Sequence, residues 1–502
     1  MKTILKTLLL AGSAMFSYSI SYSQNALKKQ QPNIILILAD DLGWSDISAY
    51  GNTYIRTPSI DALATGGVKF THGYATAPIC GPSRAALITG RYQQRFGSEF
   101  QIHENIKDPY SVKPAPGGHV YEYIPANFDS VTRQGLPVSE VTLAQQLKKA
   151  GYKTAIIGKW HLGRHPEFFP ERRGFDHHFG FLGGGTYYYT DSTDTSVVNQ
   201  TTFAAETKFK WANRRGDNAI RENGKSVEVK EYLTDRLADE AVNYIEKNRE
   251  QPFFVYIAFN APHTPVQAPR YYYDQLEHIG DPRKRAYYAM ILSLDAAVGK
   301  ITGKVENLGL ADNTLIFFVG DNGGASYTDL TDNAPLKGGK ITEFEGGLRV
   351  PFIAKWTKTI EAGKTIDAPV SLLDIFPTAS DVAGQPLLSD RKYDGVNLIP
   401  YIKGVKHEPH KNLFWRHGYQ KAVISSDWKL LVDDSLKTVH LYNKINNEFD
   451  EHSNLAASNP EKVKELKHLL STWESELPAP RWKSWRIGKV QVNKNEVYYM
   501  PL

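Results

Sequence analysis

Four stretches of this chain follow one pattern, a continuous apolar run that breaks off into polar residues. Residues 33–39 end in Asp40-Asp41, and residues 153–158 end in Lys159-Trp160-His161-Leu162-Gly163. Residues 252–259 end in Asn260-Ala261-Pro262-His263-Thr264-Pro265, and residues 313–319 end in Gly320-Asp321-Asn322-Gly323-Gly324. A run such as Asn-Ile-Ile-Leu-Ile-Leu-Ala, with no alternation, is a strand covered on both faces. Helical patterns lie between the runs, over 140–150, where Ser139 is placed as the N-cap, and over 234–248. Strands that alternate with helices in this way pair in parallel, with helices on both faces of the sheet. Ligands of such sheets bind just beyond the carboxyl ends of the strands. Four strand ends therefore bring their polar groups to one place. One of them, Asp40-Asp41, sets two carboxylates side by side, and these repel each other unless a cation lies between them.

At 502 residues, 41% hydrophobic and 23% charged, the chain can bury a large core. The expected division is an export signal over 1–23, a large catalytic domain over 24–400 and a smaller one over 401–502. The signal carries Lys2 and Lys6, an apolar run over 8–16 and Ser21-Tyr22-Ser23 ahead of Gln24. That run is too short for a membrane span, which takes about 20 residues. The mature protein is expected to be exported, periplasmic or secreted, with no membrane span. A single cysteine excludes an intramolecular disulfide, and none lies near the cleavage site to accept a lipid. The formal charge of +5 falls to +3 once Lys2 and Lys6 are removed. So weak a basicity argues against a nucleic-acid-gripping surface and leaves room for a compact anionic pocket.

The only cysteine begins the run Cys80-Gly81-Pro82-Ser83-Arg84-Ala85-Ala86-Leu87-Ile88-Thr89-Gly90-Arg91. Pro82 suits the first position of a helix and Gly90 the residue that ends it, which sets Cys80 just ahead of the helix. Free N–H groups and the helix dipole attract an anion there, and Arg84 adds a formal charge. An isolated cysteine is more often a small buried hydrophobe. This run, however, matches C-x-P-S-R-x-x-L-x-T-G-R and resembles the signature of the type I sulfatases, whose cysteine is oxidised to Cα-formylglycine before the chain folds. Ile88 falls on a position that the pattern leaves open.

The resemblance implies an alkaline-phosphatase-like α/β fold: a large, mostly parallel sheet between helices, with a smaller C-terminal antiparallel sheet and helix. Short apolar runs over 422–425, 428–432 and 440–442, then an amphipathic pattern over 460–477 with Val463, Leu466, Leu469 and Leu470 inward, agree with that second part. Residues 483–502 show no pattern that places them. A glycine-rich basic loop is by itself a solvated turn. In the type I sulfatases the loop corresponding to Leu336-Lys337-Gly338-Gly339-Lys340 supplies a lysine to the sulfate, and the spacing back from Glu345-Gly346-Gly347 selects Lys340 over Lys337. The segment Pro170-Glu171-Arg172-Arg173-Gly174-Phe175-Asp176-His177 resembles one near the family's substrate entrance, which makes Arg173 and His177 candidates for substrate contact.

The implied metal set is Asp40, Asp41, Asp321 and Asn322, with modified Cys80 as a further oxygen ligand. An all-oxygen set suits calcium, with magnesium second, and argues against zinc. Formylglycine hydrates to a geminal diol. In the family one hydroxyl attacks sulfur and displaces the alcohol, and the second then expels sulfate, so two steps replace one difficult hydrolysis. Arg84, Lys159 and Lys340 would neutralise sulfate oxygens. His161 would hold and help deprotonate the diol, and His263 would protonate the leaving alcohol, as histidine titrates near neutral pH.

The expected activity is an exported, exo-acting sulfuric ester hydrolase on a sulfated polysaccharide or oligosaccharide, with a formylglycine-generating enzyme as maturation partner. Algal glycans such as ulvan or carrageenan fragments come first and glycosaminoglycans next. The aromatic loop over 183–215, with Tyr187, Tyr188, Tyr189 and Trp211, suits stacking on sugar rings, and selectivity is expected there and over 101–129. One alternative is a phosphatase or phosphodiesterase of the same superfamily, which would use Ser or Thr and a His-rich two-metal site. The other is a non-catalytic sulfoglycan-binding protein in which Cys80 stays a thiol.

Overall fold

The structure is a computed structural model that describes residues 31–102, 121–123, 134–191, 193–200, 212–484, 486–493 and 496–501. The signal segment 1–23, most of the loop over 101–129, and Trp211 lie outside the described residues. Five strands form a parallel centre: β1 (Asn33–Asp40), β2 (Lys153–Lys159), β3 (His177–Phe181), β4 (Phe253–Pro262) and β5 (Thr314–Gly320). Their order in space is β5-β1-β4-β2-β3. Five further strands widen the sheet to ten, four pairing antiparallel and Lys364–Ile366 pairing parallel with Val68–Phe70. Phe352–Lys355 and Val68–Phe70 join beyond β5, followed by Lys364–Ile366, while Arg221–Glu222 and Lys225–Ser226 join beyond β3. The sheet is therefore mixed, with its parallel part at the centre where the site lies.

Every residue of β1 is buried, as its unbroken apolar run requires. Ile35, Ile37 and Ala39 face one core, shared with helix α3 (Leu233–Lys247) and helix α4 (Pro282–Asn307). Ile34, Leu36 and Leu38 face the other, shared with helix α1 (Cys80–Thr89), helix α2 (Leu143–Lys149) and helix α5 (Ile375–Val382). Helix α1 begins on Cys80 itself, with Ile79 in extended backbone before it and Ser83 N–H bonded to Ile79 O at 3.2 Å, so Pro82 is the third helical residue rather than the first. Gly90 ends it at φ 68°. The cap of α2 is Thr142, not Ser139. Thr142 Oγ1 accepts from Gln145 N while Gln145 returns a bond to Thr142 N, a reciprocal box that Ser139 cannot form.

Register aligns the carboxyl ends. Leu38 pairs with both Ala258 and Val319, and Ala258 pairs with Gly158, so Asp40, Lys159 and Asp321 emerge at one level. Between β1 and β4 the register slips, from Leu38 opposite Ala258 to Asp40 opposite Pro262. Such a bulge bends the strand and re-aims its side chains, and here it lies at Asn260, just ahead of His263.

The second sheet is antiparallel: β6 (Asn412–His417), β7 (Gln420–Ser425), β8 (Trp428–Asp433) and β9 (Thr438–Ile445), closed by Glu448–Phe449. Helix α6 (Pro460–Glu474) lays Leu466, Leu470 and Trp473 on it. Residue 400 falls inside the short helix Ile399–Ile402, and the second sheet starts at Asn412. The end of the chain, unplaced by its pattern, is a hairpin of β10 (Arg486–Asn493) and β11 (Glu496–Pro501), to which Tyr121–Tyr123 adds a third strand. Among the described residues no helix is long and apolar enough to cross a membrane.

Candidate active site

Asp40 ends β1 fully buried, and Asp41 turns the chain at φ 62°. Asp321 and Asn322 follow β5 and are also fully buried, with Asp41 N–H donating to Asp321 Oδ1 at 3.2 Å. Three cations converge on these carboxylates. Arg84 places Nε and Nη2 each 2.9 Å from Asp321 Oδ2, with Nη2 3.5 Å from Asp40 Oδ2. Lys159 Nζ lies 2.6 Å from Asp40 Oδ2, and Lys340 Nζ lies 2.8 Å from Asp41 Oδ2. Cys80 Sγ sits 3.3 Å from Asp40 Oδ1 and 3.6 Å from Asp41 Oδ1. His263 Nε2 is 3.5 Å from Asp41 Oδ2, and its Nδ1 meets Thr264 O at 2.6 Å. Since that carbonyl can only accept, Nδ1 carries the proton in the neutral ring and Nε2 faces the carboxylates.

Burial alone would raise Asp40, yet Lys159, then His263, Arg84 and Lys340, hold it well below the ordinary carboxylate range. Asp41 is lowered too: burial is the largest single effect and raises it, but Lys340, His263 and Lys159 together outweigh burial and the charge of Asp40. Asp321 goes the other way, up to about 7, because burial and the charge of Asp40 outweigh Arg84. The Cys80 thiol is pushed well up by burial and by Asp40, so it is no thiolate nucleophile as it stands. His161 is driven well below its usual value by burial and by Lys159, and His263 down to about 4 by burial against the pull of Asp41. Burial therefore takes His263 out of the near-neutral range on which its expected role as an acid rests. Three carboxylates crowd one point, Asp321 resists ionising, and Asn322 Oδ1 is buried without a hydrogen-bond partner. Asp40 and Asp41 offer carboxylate oxygens in one group with Cys80 Sγ and His263, all within 4.8 Å of one another, and the oxygens of that group fit a hard divalent cation.

The backbone around the site is strained in three places. Asp41, His161 at φ 57° and Ile341 at φ 69° all lie in the left-handed region, which a β-branched residue such as Ile341 very rarely enters. Ile341 is fixed by its N–H to Pro78 O at 2.7 Å, and Lys340 by its N–H to Gly324 O at 2.9 Å. Backbone packs directly on backbone here: a Cβ on Gly323 would meet Gly346 O at 1.8 Å. Of the two lysines in this loop, Lys340 points its Nζ at Asp41, whereas Lys337 Nζ is taken by Glu496 at 2.8 Å and lies over the Phe344 ring.

Arg173 and His177 are not brought to this site, which corrects their reading as substrate contacts. Arg173 is 1% exposed, and its guanidinium is spent on the carbonyls of Leu136, Pro137 and Glu140. Burial lowers it to about 10. His177 opens β3 at its amino end and pairs with Glu240 at 2.8 Å. Tyr188, read as a sugar-stacking residue, is wholly buried. Its hydroxyl lies 2.5 Å from Asn260 O and 2.8 Å from His263 O, so it braces the turn that carries His263. Asn260, the first polar residue of that strand end, has its Oδ1 buried without a partner.

A central parallel sheet with buried carboxylates gathered at its carboxyl ends is the arrangement of the alkaline-phosphatase-like hydrolases. The sulfatase family model matches residues 32–385. N-acetylgalactosamine-6-sulfatase of Mus musculus is 35% identical over 381 residues, covering 75% of this chain and 67% of its own length. Steryl-sulfatase of Rattus norvegicus is 32% identical over 467 residues, covering 79% of this chain and 76% of its own. The crystal structure of Ps i-CgsB in complex with k-i-k-neocarrahexaose matches with a TM-score of 0.76 at 34% identity, covering 90% of this chain and 95% of that one. The chain belongs to the sulfatase family and is a sulfuric ester hydrolase.

Proposed function

We propose that this chain is exported and removes sulfate esters from a sulfated glycan, from chain ends, with formylglycine at position 80 and calcium, or magnesium as second choice, in the carboxylate pocket. An algal galactan of the carrageenan type comes first as substrate, supported by the likeness to i-CgsB, whose structure holds neocarrahexaose. A glycosaminoglycan comes second, supported by the N-acetylgalactosamine-6-sulfatase likeness. The observation that carries the reading is the place of Cys80, at the start of a buried helix, 3.3 Å from Asp40 and beside Arg84. A high-pKa thiol is soft and poorly matched to an oxygen-seeking cation, whereas an aldehyde there hydrates and offers oxygen.

A divalent ion held by Asp40, Asp41, Asp321 and Asn322 would polarise a sulfate oxygen as a Lewis acid. Arg84, Lys159 and Lys340 spread positive charge over the same group as charge builds toward the transition state. His161, neutral and with a buried Nδ1 that has no partner, is fitted to take a proton from the nucleophile. His263 would take a proton from solvent onto Nε2 as the anionic ester binds beside it and raises its proton affinity, and would then pass that proton to the leaving alcohol. The test is sulfate release from a panel of sulfated oligosaccharides of defined linkage, together with the mass of the Cys80 peptide. An unmodified thiol in fully active enzyme would sink the formylglycine proposal.

A further inference from the structure

The loop that carries Lys340 is held at its far end by charges from the second sheet. Lys429, fully buried on β8, places Nζ 2.8 Å from Glu345 Oε1 and 2.8 Å from Glu451 Oε1. Glu451 Oε2 accepts the backbone N–H of Glu345 at 2.8 Å, and Tyr74 OH donates to Glu345 Oε2 at 2.9 Å. Glu345 and Glu451 are 1% and 3% exposed. Glu345 starts the turn Glu345–Leu348, whose Gly346 N–H returns to Lys337 O at 2.8 Å. In the same loop Glu343 N–H reaches Gln420 Oε1 of β7 at 3.4 Å. One end of the loop is therefore tied to the metal-ligand turn through Gly324, and the other to the C-terminal subdomain.

A buried ion cluster is weak evidence for stability, because desolvation offsets most of its Coulomb gain, and packed apolar residues often do as well. What charges supply that apolar packing does not is a fixed direction. We propose that Lys429 and Glu451 are positioning residues, acting through Glu345 to set Lys340 against the sulfate site, so that the C-terminal subdomain completes the catalytic pocket without touching substrate. This rests on reading Lys340 as the cation that stabilises the sulfuryl group. A tie that were only structural would cost stability wherever Lys340 stood.

A double-mutant cycle on the full chain separates the two. Lys429→Met and Glu451→Gln are each combined with Lys340→Ala. For each protein kcat/KM on 4-nitrophenyl sulfate is measured per folded molecule, with hydrogen exchange across residues 336–347. Lys429→Met is expected to lower kcat/KM on the order of 10- to 100-fold, the scale of a small misplacement of a catalytic group. In the Lys340→Ala background the same change should cost less than about threefold, because coupled residues are not additive. Lys429→Arg should restore part of the activity, and exchange should quicken in this loop ahead of the sheets. Glu451→Gln, neutral and of the same shape, serves if Lys429→Met does not fold. Equal losses in both backgrounds, or a lowered melting temperature with kcat/KM unchanged and exchange faster throughout, would overturn the proposal. Wild-type protein that releases no sulfate would instead count against the sulfate reading of the site, while exchange in the loop would still decide whether Lys429 holds it.

Discussion

At the carboxyl end of β2, Lys159 lies wholly buried against Asp40. Its neighbour β3 opens at the amino end with His177, which pairs with Glu240 and stacks on Tyr244 at 5.7 Å between ring centroids. His177 stands opposite Ala155, four residues before Lys159, and at about 3.3 Å per residue this is roughly 13 Å down the sheet. Both ends carry charge, but they spend it differently. Around His177 the pairs are local and partly solvated, as in Lys148 with Asp176 and Arg236 with Glu240. At the other end the groups are sealed from water and converge, with Arg84, Lys159 and Lys340 meeting Asp40, Asp41 and Asp321, whereas buried polar atoms without partners occur at both ends, Asn322 Oδ1 and His161 Nδ1 here and His178 Nε2 and Tyr244 OH beside His177. Unpartnered atoms therefore do not mark the site; opposite charges gathered out of reach of water do, since such groups shift one another's ionisation and cluster where chemistry is done. A histidine's residue type therefore says little until its end of the strand is known.

The sharpest break between the two ends should come from Cys80→Ala, which is expected to fold and bind substrate yet release no sulfate. Unchanged turnover would remove Cys80 from the chemistry. Next in size, His263→Ala should lose about 10²–10⁴-fold in kcat/KM on a sulfated sugar, whose alkoxide must be protonated as it leaves. It should lose far less on an activated aryl sulfate, whereas Lys340→Ala should damage both alike. Equal losses for His263→Ala on the two substrates would make it a sulfate ligand and not the acid. Asp321→Ala takes one carboxylate from the pocket, so calcium affinity should fall at least about tenfold, the lower end of what even an outer-shell change costs. Dialysis against EDTA should lower both activity and melting temperature, and calorimetry with calcium checks the affinity. At the other end, Arg173→Ala strips hydrogen bonds from three buried carbonyls and should cost about 3 kcal/mol in denaturant unfolding. Its kcat/KM per folded molecule should stay within about twofold, since no substrate contact is lost. The smallest change is expected from His177→Ala, under about 1 kcal/mol and with activity intact, as for other partly exposed ion pairs. A selective rise in KM for either variant would restore a substrate role.

Much of the pocket was legible because its signals are local. Asp40-Asp41 directly follows an unbroken apolar run, and Cys80 to Arg91 is a contiguous motif, so strand ends and the presence of a helix there could be read without knowing the fold, although that helix starts two residues earlier than Pro82 suggests. What stayed hidden depends on contacts far apart in the chain. Lys429 and Glu451 lie 84 and 106 residues from Glu345, and no periodicity links them. The hairpin of β10 and β11 finds its third strand at Tyr121–Tyr123, which composition cannot foretell. Tyr188 sits in a loop rich in exposed-type residues, yet its hydroxyl has a buried task at His263 O. Arg173 was misread because a family segment near an entrance need not keep each side chain there, and here three carbonyls claim it.

Cys80 is 1% exposed once folded, and the loop beside it is fixed by residues that come about 350 positions later in the chain. At ordinary rates of synthesis, about 5–20 residues per second, roughly 20–70 s separate the two. For that interval the thiol is already made while the part that closes over it is not. On the proposal that Cys80 becomes formylglycine, the converting enzyme would work against a clock set by the C-terminal subdomain. A truncated chain ending before β8 should stay a substrate for conversion long after the full-length protein has sealed itself.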